Sequence, residues 1–523
     1  MSTTLQAWQR ISFSQKVLLL IILSSIVRIV LAAILDLGND ESYYWLYSQQ
    51  LQWNYFDHPP LIAIGVRLFT LNLLLDQYEV FVRLSSIVSC AAATWFLYKA
   101  VTLISNQRAG WFAALLYTSS FYTSIVAGLL VMPDSPQMLC WTFCLWMIAR
   151  VVQNERSWNA WIWLGISTGL CIMSKIHGVF IISGLGLYIL IKKREWLKLP
   201  QLYIAFLLTI LIASPIFIWN WQYDFITWRF HSERVEIGGS GEKDGFISET
   251  LGQIVINNPL NFCLIIAALF FTYKRKRKRH AALVIYEYIA LPLALSLLFV
   301  SIFRDIWPHW SGPAYTSLLP LTAIWLDKHK LPSFSPRILR ASIALFILFT
   351  ITWPLTVSFY PGTFGNSVAT RLGKDDITLD KYGWEDAGET FQYLYKKEES
   401  QNTMPSDAPV VCTSWWGAHM EYYFCKHGEI PMIGLGDIVE LHQYAWLNEE
   451  RKDSTNMQTA WYIISSLEQD KPSDEIARYY KTIQPVDTIA IDRNGKPANY
   501  FYVYKLSGWK NTPLTMAVSN WDK

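Results

Sequence analysis

Charge is scarce in this sequence. Asp, Glu, Lys and Arg make up 16% of its 523 residues, against about 25% in an ordinary soluble protein. Cysteine is rare, with seven residues and no CxxC spacing, which excludes zinc-ribbon and dithiol-redox readings. There is no GxxxxGKS/T phosphate loop, no HExxH, no repeat of a 20–50-residue unit and no nucleic-acid-binding motif. The net charge of +3 is too small to argue for nucleic acid. What abounds is apolar and aromatic: 52% hydrophobic residues, with 25 Trp, 28 Tyr and 27 Phe. Such composition excludes disordered, collagen-like and disulfide-scaffold chains, fits an all-soluble enzyme poorly, and suits membrane interfaces.

The average conceals a division. Residues 361–523 carry about 24% charged residues, an ordinary soluble value, and residues 1–360 about 13%. A polytopic α-helical membrane body, 1–360, followed by a soluble α/β domain, 361–523, is expected. Helix-like "GWEDAGETFQYLYKKEE" alternates there with β-like "APVVCTSWW", "TAWYIISS", "DTIAIDR" and "NYFYVYKL". Cys412 and Cys425 share this domain; a disulfide and two reduced buried thiols are both open readings.

A bilayer core takes ~20 apolar residues per helix. Eleven spans are predicted, near 17–35, 81–103, 109–130, 136–152, 159–174, 177–191, 202–220, 251–273, 281–302, 313–327 and 340–359. The short apolar segment 59–75, opening on Pro59 and Pro60, reads as an interfacial helix. The first span lacks a small-residue cleavage site and reads as an uncleaved anchor. A cytoplasmic N-terminus places 20 Lys and Arg in inside loops, including "KRKRKR" at 274–279, and seven outside. That bias sets the orientation. The odd span count then puts the C-terminal domain in the periplasm or an equivalent compartment.

Ionisable groups in a membrane are costly and mark function by default. Here they collect at the outer helix mouths. Asp40 and Glu41 open the first external loop; Asp57 and His58 close it in "WNYFDHPPL". Asp134 lies in "VMPDSPQ", and Lys175 and His177 in "MSKIHGVF". His231 and Arg234 follow in "WRFHSER", and His309 in "FRDIWPHW". Trp45, Trp53, Trp221, Trp228, Trp307 and Trp310 are expected to rim this level. Arg28, inside the first span, is expected to pair with an acid. These residues suit glycosyl transfer from a lipid-phosphate sugar. Cations and imidazoles stabilise charge on a leaving phosphate, one carboxylate takes the acceptor's proton, and a second favours the oxocarbenium-like centre. The donor supplies the energy.

The run "NDESYYWLYSQQLQWNYFDHPPLIA", with "MPDSP", "SKIHG" and "RFHSER", resembles membrane glycosyltransferases of family 39 type. These include protein O-mannosyltransferases and the lipid A aminoarabinose transferase, which share the GT-C fold. The resemblance implies that fold over roughly 15–360, a polyprenyl-phosphate-linked sugar donor, an extracytoplasmic glycan, lipid or protein acceptor, and inversion at the sugar. It implies Asp40 as base, Glu41 as its neighbour and Asp134 as second carboxylate. His58, Lys175, His231 and Arg234 become candidates for the donor phosphate. His58 stands where relatives have Lys, which makes its charge pH-dependent. Asp57, His58, His177 and His309 line the cavity and are suitable types for a possible divalent metal ion.

Blander readings stand beside these. Asp40 and Glu41 suit a helix start, Asp57-His58 a turn before Pro-Pro, Asp134 an N-cap, and Lys175 a snorkelling cation. His419 and Glu421 read as local surface or packing residues. Two other classes compete for the whole chain. A transporter or flippase of lipid-linked saccharides predicts midplane charges, broken helices and repeated halves, which are not evident in the sequence. A membrane-anchored assembly protein gives no reason for acids and histidines at so many helix mouths.

Overall fold

The computed structural model describes residues 11–235, 245–274, 279–328, 336–468 and 472–516. The chain divides into two compact units. The first comprises residues 1–30, 52–72 and 80–349; the second comprises 31–51, 73–79 and 350–523. The second therefore holds the C-terminal region and also the start of the first loop.

The first unit is helical. Among the described residues five helices are long and apolar enough to cross a membrane, or six if one bent pair is a single span. Phe13–Ile34, Glu79–Ile104, Pro200–Gln222, Ala281–Val300 and Arg337–Phe359 are the five. Asp134–Gln153, Trp158–Ser174, Val179–Lys192 and Gly312–Lys328 also fall on predicted spans. The interfacial segment forms the short helix Leu61–Phe69.

Two predicted spans are interrupted. The one at 251–273 is two helices, Gly245–Ile256 and Pro259–Lys274, bent by 98°. Pro259 lacks an N–H and disfavours a helical residue before it; Asn258 takes a left-handed conformation, φ 64°. Asn258 Nδ2 donates to the carbonyls of Ser119 and Ser342, and Asn261 Nδ2 to Leu116 O and Ser119 Oγ. The break is thus tied into neighbouring helices, as non-helical backbone in a membrane protein requires. The span at 109–130 ends its α-helix at Ser119 and continues as a π-turn, Tyr122–Val126. Arg28 also departs from expectation: its guanidinium donates to Ser124 O and Ser124 Oγ, at 2.9 and 2.8 Å, rather than to an acid.

Gly165 and Gly169, four apart on Trp158–Ser174, let the helix Pro200–Gln222 approach closely. A Cβ on Gly165 would lie 2.4 Å from the carbonyl oxygen of Ala205, and one on Gly169 would lie 2.7 Å from Ile212 Cβ. Small residues at this spacing permit such contact within membranes. Because the obstacle at Gly165 is backbone, Gly165→Leu is expected to cost about 1–3 kcal/mol, measured as a lowered unfolding temperature in detergent.

The second unit is built on a five-stranded sheet, with β1 (Val410–Cys412), β2 (Met432–Gly434), β4 (Thr459–Ser465), β5 (Tyr480–Arg493) and β6 (Lys496–Trp509) in the order β2-β1-β4-β6-β5. Short β3 (Gly436–Asp437) pairs with β7 (Thr515–Met516). The β1 strand is parallel to β2 and β4; β4–β6 and β5–β6 are antiparallel. The amphipathic helix Trp384–Ser400 buries Trp384, Phe391 and Leu394. Cys412 and Cys425 are buried free thiols. His419 and Glu421 are packing residues: His419 Nε2 lies 2.8 Å from Leu37 O, and Arg451 pairs with Glu421. Trp45 is buried against Asp76, its Nε1 donating at 2.9 Å, and does not rim an interface.

Candidate active site

The first unit gathers many of the ionisable residues singled out in the sequence. Asp134 begins the helix Asp134–Gln153, where the helix dipole favours negative charge. Lys175 follows the helix Trp158–Ser174 in extended backbone, φ −159° and ψ 137°. Its Nζ lies 2.8 Å from Asp134 Oδ2, and the pair is buried. Tyr122 in the π-turn donates its hydroxyl to Asp134 Oδ1 at 2.9 Å. Lys175 is therefore an internal cation held by an acid, and it does not snorkel. The residue in this pair that sequence reasoning missed is Tyr122, an aromatic in an apolar run with no local signal.

Imidazoles surround the pair. His309, in the turn Pro308–Ser311, lies within electrostatic reach of both Lys175 and Asp134. Burial and the Lys175 charge hold its pKa down to about 4. His177 lies beside Trp310, ring centroids 6.1 Å apart, and its buried Nδ1 has no hydrogen-bond partner among the described residues.

The "WNYFDHPP" loop is pinned to the helix Ile226–Val235. Asn54 Nδ2 donates to Thr227 Oγ1, Thr227 Oγ1 donates to Tyr55 O, and Phe56 packs on Phe230. His231 Nε2 lies 2.6 Å from Asp57 O, and the His58 and His231 rings are 5.8 Å apart. His58 Nε2 is 3.9 Å from Asp57 Oδ2. His58 feels Asp57, Lys175, His231 and Asp134, which joins the loop to the Asp134–Lys175 pair. Its pKa is pushed down to about 3, chiefly by burial, so it is neutral at physiological pH.

This has a stability consequence. As pH falls below the ordinary 6.5, the unfolded chain takes up a proton that folded His58 refuses until about 3. The fold is weakened across that window. His58→Asn is expected to flatten the loss of unfolding temperature between about pH 8 and about pH 5.

Arg234 lies on Ile226–Val235, and its side chain falls outside the described set. Among the described residues no three His, Cys, Asp or Glu side chains are grouped to hold a metal ion, so Asp57, His58, His177 and His309 do not form one ligand set.

Asp40 and Glu41 belong to the second unit, in the first turn of the helix Asn39–Gln49. Asp40 is exposed. Glu41 is buried; its Oε2 accepts the Gly38 N–H at 3.0 Å and meets Lys381 Nζ at 2.6 Å. Nothing in the sequence pointed to Lys381.

Residues 57–219 match the dolichyl-phosphate-mannose-protein mannosyltransferase family. The lipid A galacturonosyltransferase RgtD of Rhizobium johnstonii is 23% identical over 333 residues, 62% of this chain and 67% of that protein. ArnT from Cupriavidus metallidurans, in crystal structures of its apo state and bound to undecaprenyl phosphate, matches with TM-scores of 0.61 and 0.60. Identity is 14%, over 94% of this chain and 98% of ArnT. The apo Archaeoglobus fulgidus oligosaccharyltransferase matches with a TM-score of 0.50 at 12% identity, over 98% of this chain and 76% of its own. The resemblance read from the sequence is borne out, and the fold is GT-C.

Proposed function

We propose that this chain, a protein of the GT-C glycosyltransferase fold, moves a sugar from a polyprenyl-phosphate carrier to an acceptor outside the cytoplasm. Lipid A or lipopolysaccharide is the favoured acceptor class, with other glycans and proteins as the alternatives. The observation that carries this reading is the buried Asp134–Lys175 pair ringed by His58, His177 and His309, within a fold whose relatives transfer sugars. Eleven crossings of a bacterial inner membrane, a cytoplasmic N-terminus and a periplasmic C-terminal domain complete it.

Asp40 takes the proton of the acceptor hydroxyl as its oxygen bonds to the sugar's anomeric carbon. The bond from that carbon to the phosphate oxygen breaks, the polyprenyl phosphate leaves with the electron pair, and the configuration inverts. Glu41 is the base's neighbour. Asp134 favours the cationic character of the sugar ring. Lys175, His231 and Arg234 are the candidates to stabilise the leaving phosphate, with His58 donating a hydrogen bond as a neutral imidazole or gaining a proton beside the anion.

Mass spectrometry of surface glycolipids and glycoproteins from a deletion strain tests the assignment. One sugar is expected to disappear from the lipid A or lipopolysaccharide fraction and to return on complementation. An unchanged glycome in every fraction would sink it.

A further inference from the structure

The acidic helix start does not stand alone. Asn39 N–H donates to Asp380 Oδ1 at 2.9 Å. Lys381 Nζ lies 2.6 Å from Glu41 Oε2 and 3.7 Å from Asp380 Oδ2. Glu41 Oε2 also accepts the Gly38 N–H. Residues 38, 39 and 41 are thus all held, and Asp40 between them is exposed. The preceding loop is held by the same part of the chain. Trp384 N–H donates to Asp36 Oδ2 at 2.9 Å, and Leu37 N–H donates to the Tyr423 hydroxyl at 2.6 Å.

Gly38 gives an independent reason to take this grip as built. A Cβ there would come within 2.3 Å of Asp380 Oδ2 and 2.4 Å of Lys381 Nζ. Its backbone, φ −81° and ψ 171°, is open to any residue. Only the absence of a side chain lets the carboxylate and the ammonium approach the helix start.

We infer that Lys381 is a positioning residue: with Asp380 it fixes the first turn of Asn39–Gln49 and offsets the charge of Glu41, so that the neighbouring Asp40 carboxylate is held in a set place at the helix start. Two adjacent carboxylates otherwise repel and compete for one proton. This inference rests on the reading of Asp40 as base and adds to it a residue from the C-terminal region.

The test uses the full-length protein in native membranes of the deletion strain, where the cell supplies donor and acceptor. The rate at which the missing sugar reappears is read per molecule of folded protein. Lys381→Met is expected to lower transfer per molecule of folded protein by about 10- to 100-fold, with a lowered unfolding temperature because Glu41 stays buried without its ammonium. Lys381→Arg, which keeps the charge, is expected to restore most of it. Gly38→Ala displaces only the ends of two side chains and is expected to reduce transfer in the same way. Wild-type transfer in Lys381→Met, or a loss matched by loss of folded protein, overturns the inference. If Lys381→Met does not fold, full transfer by folded Gly38→Ala overturns it instead. An inactive Asp40→Asn beside a normal Lys381→Met sinks this inference alone; a fully active Asp40→Asn sinks the base assignment and this inference with it.

Discussion

Asp40→Asn is expected to lower sugar transfer by about 10²- to 10⁴-fold, the usual worth of a positioned general base, while the protein folds and inserts normally. The side chain is exposed in the first turn of its helix, and the amide keeps the shape of the carboxylate it replaces. Asparagine also suits a helix start. The variant therefore separates chemistry from structure. It is measured as sugar restored per molecule of folded enzyme in deletion-strain membranes. Full transfer would remove Asp40 from the mechanism. Transport or assembly readings predict little effect from so small a change.

The second large effect concerns stability. Lys175→Met leaves the Asp134 carboxylate inside protein with the Tyr122 hydroxyl as its remaining hydrogen-bond partner among the described residues. Removing one member of a buried ion pair costs about 3–5 kcal/mol. Removing both costs far less, because no uncompensated charge remains. The double variant Lys175→Met, Asp134→Asn is thus expected to recover most of the stability lost by Lys175→Met alone, and to remain inactive. Unfolding temperature in detergent reads the first part; sugar transfer reads the second. A double variant as unstable as the single would show that the ion pair is not what holds these two helix ends.

Much of the architecture was legible because apolar runs and charge density are one-dimensional signals. Helices fall on the predicted spans, and the four β-like runs overlap β1, β4, β5 and β6, the first of them forming strand only at Val410–Cys412. What escaped depends on partners distant in sequence or on single backbone events. The break at Asn258 was masked by the hydropathy on both sides, although Pro259 marked it. Trp45 has the composition of an interfacial residue, yet it is buried because Asp76 accepts its indole N–H. Arg28 found a carbonyl and a hydroxyl made available by the π-turn, which no propensity announces.

The site was legible to the same degree. Clustering of Asp134, Lys175, His58 and His309 followed from their common level at the helix mouths. The Asp134–Lys175 hydrogen bond, the hydroxyl of Tyr122 and the role of Lys381 did not, since each requires the fold to choose a partner. For Glu41 the bland reading as a helix-start residue proved true alongside any catalytic one: its carboxylate does accept an N–H of the turn it opens.

The second unit is assembled from stretches far apart in the chain, and this imposes an order on its biosynthesis. Glu41 is translated 340 residues before Lys381, and Leu37 precedes Tyr423 by 386. At roughly 5–20 residues per second, the acidic helix waits roughly 17 to 70 seconds for the lysine that steadies it. A nascent or truncated chain thus has its membrane helices and Glu41 but lacks Lys381. These contacts form late in synthesis, when the last third of the polypeptide closes on a loop made near the beginning.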